Sequence, residues 1–86
     1  MSEQELRDAV IQALTNVAPD SDPATIDPDA DIAEKLDLDS MDFLNVLVVI
    51  AEQTGIEIPE RDYGKLTTLD DLVAYLDKAQ AQKAGA

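Results

Sequence analysis

The sequence predicts an all-α fold, a small four-helix bundle with three main helices, one short helix and a long loop after the first helix. Apolar residues recur at helical spacing in three segments. A residue that favours the N-cap position precedes each of these segments, and a glycine ends the second one. With 86 residues, the chain is long enough for a single domain with a small core.

The first main helix is predicted over residues 3–17. Ser2 and Glu5 have the spacing of a capping box, in which each side chain accepts a hydrogen bond from the other residue's backbone N–H. Proline and aspartate in segment 19–23 end the helix. One face of it carries the apolar residues Leu6, Val10, Ala13, Leu14 and Val17.

Residues 18–38 are predicted to form a long connection rich in proline and aspartate. Such a loop is unusual in a compact domain unless it has a function or is held against the core. A short helical turn is expected within residues 30–35. We expect four isolated apolar side chains to hold the loop: Ile26, Ile32, Leu36 and Leu38.

The second main helix is predicted from Ser40 to about Thr54. Asp39 is its expected N-cap, and Gly55 follows its last turn. Residues 56–59 are expected to be extended, because a residue before proline avoids helical geometry.

A short helix at residues 60–64 and a last helix capped by Thr67 or Thr68 complete the prediction. The end of the chain, residues 79–86, is rich in alanine, glutamine and lysine and is expected to fray. The domain is therefore assigned to residues 1–78. The last helix has an apolar face made of Leu69, Leu72, Val73 and Leu76.

The second main helix carries two apolar stripes. In so small a domain a helix is not buried on all sides, so one stripe is expected in the core. The pattern leaves open whether the long loop covers the other stripe or a partner binds it. The first stripe is Phe43, Val46, Leu47 and Ile50, and the second is Met41, Leu44, Val48 and Ala51.

Charge and composition exclude several functions. The chain has 19 acidic and 6 basic residues, and its net charge of −13 is opposite in sign to what binding to nucleic acid or an anionic membrane requires. Basic protein surfaces are the expected partners. The chain has no histidine or cysteine, so it lacks the commonest general base and any thiolate metal site.

The sequence favours a cytoplasmic protein. No segment approaches the roughly 20 apolar residues of a membrane-spanning helix. Residues 1–5 have neither the basic nor the apolar part of a secretory signal.

A family resemblance begins in segment 36–42, Leu-Asp-Leu-Asp-Ser-Met-Asp. This segment resembles the Asp-Ser-Leu signature of acyl carrier proteins, with methionine in place of leucine. The apolar helix that follows, Ile-Glu-Ile-Pro at 56–59 and Lys-Leu-Thr-Thr-Leu at 65–69 resemble that family in order and spacing. The resemblance covers about residues 6–76.

The resemblance implies that Ser40 is esterified by 4′-phosphopantetheine, which a phosphopantetheinyl transferase takes from coenzyme A. The protein would then be a monomeric carrier and not an enzyme. It would present a thioester cargo to acyl-loading and acyl-processing enzymes with basic docking patches. A phosphodiester suits a helix N-terminus, because free N–H groups and the helix dipole favour anions. Without the resemblance, Ser40 is more simply interpreted as a helix-cap serine.

The resemblance also implies a partner-binding surface beside Ser40. For Asp39 and Asp42, capping the helix and compensating its dipole is an alternative role. The stripe that contains Phe43 then belongs to the core, where a long acyl chain has a place to lodge. The candidate partner-binding residues are Asp39, Met41, Asp42, Leu44, Val48 and Glu52.

Three departures from the family pattern matter. Asp37 stands where many members have glycine, and aspartate tolerates left-handed geometry better than most residues. Asn45 and Ala51 stand where glutamates are usual in carriers of primary fatty-acid synthesis, which favours a dedicated fatty-acid, polyketide or related pathway. The glycine pair that many peptidyl carrier domains have before the serine is missing, which disfavours nonribosomal peptide synthesis.

The sequence disfavours two other functions and leaves a third open. Residues 27–31 begin like an EF-hand, but Ile32 and Leu38 occupy the positions of its glycine and its bidentate glutamate, so no metal site is predicted. No group of residues converges on a catalytic pocket, which disfavours an enzyme. An acidic helical interaction domain without the arm is the alternative function.

Added salt is expected to raise the melting temperature of the protein near neutral pH. The reason is that ions screen the repulsion among the charges of a chain with a net charge of −13. Thermal unfolding followed by circular dichroism over a sodium chloride series measures this. A melting temperature that does not change with salt would contradict the prediction.

Overall fold

The computed structural model describes residues 1–84, with side chains to residue 82. These residues form four α-helices and two short 3₁₀ helices, and they contain no strand beyond one isolated bridge between Asp31 and Thr68. The predicted all-α bundle with three main helices is confirmed. The α-helices are α1 (Glu3–Val17), α2 (Ile32–Lys35), α3 (Ser40–Thr54) and α4 (Leu69–Ala84), and the 3₁₀ helices are Pro23–Thr25 and Glu60–Lys65.

α1 is the central helix, because it packs against both α3 and α4. Its predicted capping box is present. Ser2 Oγ accepts a hydrogen bond from the backbone N–H of Glu5 at 3.1 Å, and Glu5 Oε1 accepts one from the N–H of Ser2 at 2.9 Å. An ion pair of 3.2 Å between Arg7 and Asp70 also joins α1 to α4.

One apolar core lies between the helices. Full burial of a valine, leucine or isoleucine contributes about 1.5–3 kcal/mol, so this core is the main favourable term in folding. Its members come from all four α-helices and from the segments before the second 3₁₀ helix and before α4. They are Leu6, Val10, Ala13, Leu14, Ile32, Val46, Leu47, Ile50, Ile56, Ile58, Leu66, Leu69, Leu72, Val73 and Leu76.

The long loop is held against this core as predicted. Ile32 is fully buried, and the other three expected side chains, Ile26, Leu36 and Leu38, are half-buried against the core. Backbone hydrogen bonds add to this: the N–H of Ile32 donates to the carbonyl oxygen of Thr67 at 2.8 Å. The loop is thereby fixed to the start of α4.

Asp37 has the left-handed backbone conformation, with φ 54°. It follows α2, and the next residue's N–H closes the turn by donating to the carbonyl oxygen of Ala33 at 2.8 Å. The turn that many family members make with glycine is therefore kept with aspartate, as predicted. This turn directs the chain from α2 into the start of α3.

The second 3₁₀ helix has no buried residue of its own and is held from outside. The hydroxyl of Tyr75 in α4 donates to Asp62 Oδ2 at 2.8 Å, while the ion pair of 3.6 Å between Lys65 Nζ and Asp62 Oδ1 lies within the 3₁₀ helix itself. The Tyr75 hydrogen bond lowers the pKa of Asp62. Desolvation, with the same bond, raises the pKa of Tyr75.

α4 begins as predicted and continues further than predicted. Thr68 Oγ1 caps it by accepting from the N–H of Asp71 at 3.0 Å. The helix runs to Ala84, past residue 78. Alanine, glutamine and lysine are strong helix formers. In addition, the Gln80 side chain forms hydrogen bonds with Met1 and Asp77.

The domain boundary at residue 78 stays a prediction. The last part of the expected frayed tail, residues 85–86, lies outside the described residues.

Replacing Asp37 tests the left-handed turn. Asp37→Val is expected to lower the free energy of unfolding by about 1–2 kcal/mol, because a β-branched side chain clashes with the backbone at positive φ. Asp37→Gly is the control that keeps the turn, and it should change the free energy of unfolding by less than about 1 kcal/mol. Urea unfolding measures both, and equal effects of the two substitutions would contradict the turn geometry.

Candidate functional site

Two aspartates make the N-terminal cap of α3. Asp39 Oδ1 accepts a hydrogen bond from the N–H of Asp42 at 2.8 Å, and Asp42 Oδ2 accepts one from the N–H of Asp39 at 3.4 Å. This capping box follows the same scheme as the one that begins α1. The structural role of these two carboxylates is therefore established, while their role in docking stays a prediction.

Ser40 is the first residue of α3 and is not its cap. Its side chain is exposed, and its hydroxyl makes no hydrogen bond to any other residue within 1–84. By contrast, the hydroxyl of Ser2 is engaged in the cap of α1. Because Asp39 has taken the capping role, the oxygen of Ser40 is left accessible.

The surroundings of Ser40 fit a phosphodiester. The N–H groups of Ser40 and Met41 lie in the first turn of a 15-residue helix, where the helix supplies no acceptor for them. These donors and the helix dipole favour an anion. The carboxylates of Asp39 and Asp42 oppose it, so the anion would have to be retained by a covalent bond rather than by affinity alone. An exposed hydroxyl provides for such a bond.

A cleft of about 210 Å³ opens beside Ser40. Leu38 and Phe43 give it apolar walls, and both are half-buried with one side on the core. The sequence predicts that Leu38 holds the long loop and that Phe43 belongs to the core stripe of α3, and their positions two before and three after Ser40 put both near it. The full lining is Asp31, Ala33, Leu38, Asp39, Ser40, Phe43 and Thr67.

The two apolar stripes of α3 separate as the helical period predicts. Val46, Leu47 and Ile50 are fully buried, and Phe43 is half-buried at the edge of the core. In the second stripe, Ala51 is half-buried. Its larger members are exposed, with fractional exposures of 66% for Met41, 36% for Leu44 and 47% for Val48. The long loop does not cover this second stripe.

Negative charge lies at the two ends of the exposed stripe. At the N-terminal end, Asp39 is exposed and Asp42 is half-buried. Glu52 is exposed near the C-terminal end, and the neutral Asn45 is exposed between them. The candidate partner-binding residues thus form one continuous face of α3 that starts beside Ser40.

Two other classes of site, a metal centre and a membrane-spanning helix, are not present within residues 1–84. No group of three or more histidine, cysteine, aspartate or glutamate side chains in that range could hold a metal ion. The carboxyls of Asp27 and Asp29 do pair, and a hydrogen bond to Asp27 raises the pKa of Asp29. No helix in the same range has the length and apolar character of a membrane span.

The fold and the face of α3 define a small helical carrier domain. The family described as phosphopantetheine attachment site matches residues 4–76. An acyl carrier protein of Campylobacter hominis is 35% identical over 80 residues, covering 93% of this chain and 95% of that protein. The chain therefore belongs to the acyl carrier protein family.

More distant relatives have the same family name. An acyl carrier protein of Rhodococcus erythropolis is 27% identical, covering 90% of this chain and 80% of that protein. A meromycolate extension acyl carrier protein of Mycobacterium bovis is 29% identical, covering 85% of this chain and 60% of that protein.

Membership in the family settles several predictions. Proteins of this family are carriers, not enzymes, and their cofactor is covalently attached 4′-phosphopantetheine. They act together with a phosphopantetheinyl transferase and with acyl-processing enzymes.

Two neighbouring substitutions test which residue caps α3. Asp39→Ala is expected to lower the free energy of unfolding by about 0.5–2 kcal/mol, because it removes the acceptor for the N–H of Asp42. Ser40→Ala should change it by less than about 0.5 kcal/mol, since the hydroxyl has no partner. Urea unfolding of both variants measures the difference, and a larger loss for Ser40→Ala would contradict the assignment.

Proposed function

We propose that this protein carries an acyl-type intermediate as a thioester on 4′-phosphopantetheine attached to Ser40. The observation that carries this proposal is the exposed Ser40 hydroxyl, which is free of hydrogen bonds to residues 1–84 at the first turn of α3. Because Asp39 caps α3, we expect the loss of the Ser40 hydroxyl to cost the domain little stability. No base beside Ser40 is required, because the transferase supplies the chemistry of attachment.

The exposed face of α3 is the proposed docking surface for the partner enzymes. Its central residues Met41, Leu44 and Val48 are apolar and exposed, and among the described side chains Met1 is the other large apolar one that is exposed. Asp39 and Asp42 at one end and Glu52 at the other match a partner with a basic docking patch. The net charge of −13 steers such a partner toward encounter.

We further propose that the pathway is a dedicated fatty-acid, polyketide or related one. Asn45 is exposed and uncharged in the middle of the docking face, and Ala51 adds no charge. A partner of this carrier would therefore depend more on apolar contact and less on ion pairs. A meromycolate extension acyl carrier protein among the relatives supports a specialised role.

We also propose that the protein is a monomer, because its net charge causes repulsion between copies. We propose the cytoplasm as its location.

Incubation with coenzyme A and a broad-specificity phosphopantetheinyl transferase tests this function. Intact-protein mass spectrometry is expected to show a gain of one phosphopantetheine unit in the wild type. Ser40→Ala should show no gain, because the accepting oxygen has been removed. Circular dichroism of both proteins is the control that they are folded.

The outcomes separate the two candidate functions. A gain in the wild type alone supports the carrier function and the attachment residue. Equal gain in Ser40→Ala would overturn Ser40 as the attachment residue. Folded wild type that gains nothing would favour the alternative, an acidic helical interaction domain without an arm.

A further inference from the structure

A groove between the second 3₁₀ helix and α4 concentrates positive charge in a strongly acidic chain. The chain has 6 basic residues against 19 acidic ones. Three of the basic residues, Arg61, Lys65 and Lys78, line this one groove. Its volume is about 570 Å³, within the range of pockets that take a small molecule. The remaining lining is Glu57, Pro59, Asp62, Tyr75, Ala79 and Gln82.

Two of the three cations have no partner of opposite charge. Arg61 and Lys78 are exposed, and neither forms an ion pair or a side-chain hydrogen bond with the residues whose side chains the structure describes. The ion pairs found among those residues involve Arg7 and Lys65 instead. Although acidic residues are in large excess, the fold leaves these two cations available to a ligand.

The carboxylates in the groove do not cancel this charge. Asp62 is already engaged, because it accepts a hydrogen bond from the hydroxyl of Tyr75 at 2.8 Å and pairs with Lys65 at 3.6 Å. The hydrogen bond from Tyr75 also joins the two walls of the groove. Glu57 is then the lining carboxylate that has no ion pair within the described residues, and it faces two unpaired cations.

We propose that this groove binds a soluble phosphate monoester. Near neutral pH such an ester carries a charge of about −1.5 to −2, so it can pair with more than one cation at once. The planar guanidinium group of Arg61 matches two phosphate oxygens, and the ammonium group of Lys78 adds a point charge from the opposite wall. Pro59 and Ala79 offer apolar surface to the organic part of the ester.

The charge of the chain narrows the choice of anion. A carboxylate has a single charge and forms one exposed ion pair, which contributes little. The net charge of −13 opposes every anion, but charges more than about 10 Å away are largely screened at 0.1 M salt, so the cations that touch the ligand dominate. A lipid phosphate is a poorer candidate than a soluble ester, because an anionic membrane repels the whole acidic chain.

The groove is separate from the site of the proposed function. Its lining shares no residue with the cleft beside Ser40 or with the docking face of α3. Binding there therefore requires neither the arm nor a partner enzyme, and a negative result would leave the carrier function untouched.

Nuclear magnetic resonance titration of the isotope-labelled protein without its arm tests the groove. The probes are phenyl phosphate, inorganic phosphate and benzoate, all at constant ionic strength near neutral pH. Phenyl phosphate is expected to shift the backbone amide signals of groove residues in a saturable way and to bind more tightly than the other two. Equal responses to phenyl phosphate and benzoate would overturn the choice of phosphate, and equal responses to phenyl phosphate and inorganic phosphate would overturn the choice of an ester.

Vesicles distinguish a soluble ester from a lipid head group. Phosphatidylcholine vesicles that contain phosphatidic acid should not sediment the protein, because the membrane surface and the chain are both negative. Sedimentation of the protein with these vesicles, and not with pure phosphatidylcholine, would overturn the assignment to a soluble ester.

Matched charge variants provide the control, with circular dichroism to show that each is folded. Lys78→Gln should weaken phenyl phosphate binding roughly twofold or more, and Arg61→Gln with Lys78→Gln roughly fivefold or more, because exposed ion pairs with the ligand are lost. Lys35→Gln removes the same single charge as Lys78→Gln from an exposed position in α2 and should leave binding unchanged. Equal loss in Lys35→Gln and Lys78→Gln would overturn the proposal, since net charge alone would then explain the binding.

Discussion

The packing of α3 on α1 is the constraint on which the rest of the molecule depends. Val46, Leu47 and Ile50 are buried in the core that α1 shares with α3 and α4. Because a helix has a fixed period, burial of this stripe turns Met41, Leu44 and Val48 outward. The same rotation leaves Ser40 exposed at the start of the helix. One apolar contact thus sets both the stability of the domain and the direction of its functional face.

Much of this arrangement could be predicted because it depends on local chemistry. The bounds of α1 and α3 follow from the capping boxes of Ser2 and Asp39 and from Gly55, which has the expected left-handed φ of 71°. The two stripes follow from the helical period alone. The left-handed turn at Asp37 was predicted from a family position that usually has glycine.

Other features depend on contacts between distant parts of the chain and could not be predicted from local pattern. The cleft beside Ser40 includes Thr67, which the loop brings there through the hydrogen bond with Ile32. The second 3₁₀ helix depends on a pairing of the same kind, because the hydroxyl of Tyr75 in α4 donates to Asp62, 13 positions earlier in the chain. Hydrogen bonds between Gln80 and Met1 add to the stability of α4 beyond the expected domain end, and they join residues 79 positions apart. Composition gave no signal for any of these pairings.

Peptide mapping of the modified protein tests most directly the central claim, that capping by Asp39 leaves Ser40 as the reactive serine. Trypsin cleaves after Arg7, Lys35 and Arg61, so the three serines of the chain fall on separate peptides, 1–7, 8–35 and 36–61. After reaction with coenzyme A and the transferase, tandem mass spectrometry should find phosphopantetheine on peptide 36–61 alone, at Ser40. Its presence on the peptide of Ser2 or of Ser21 would contradict the account.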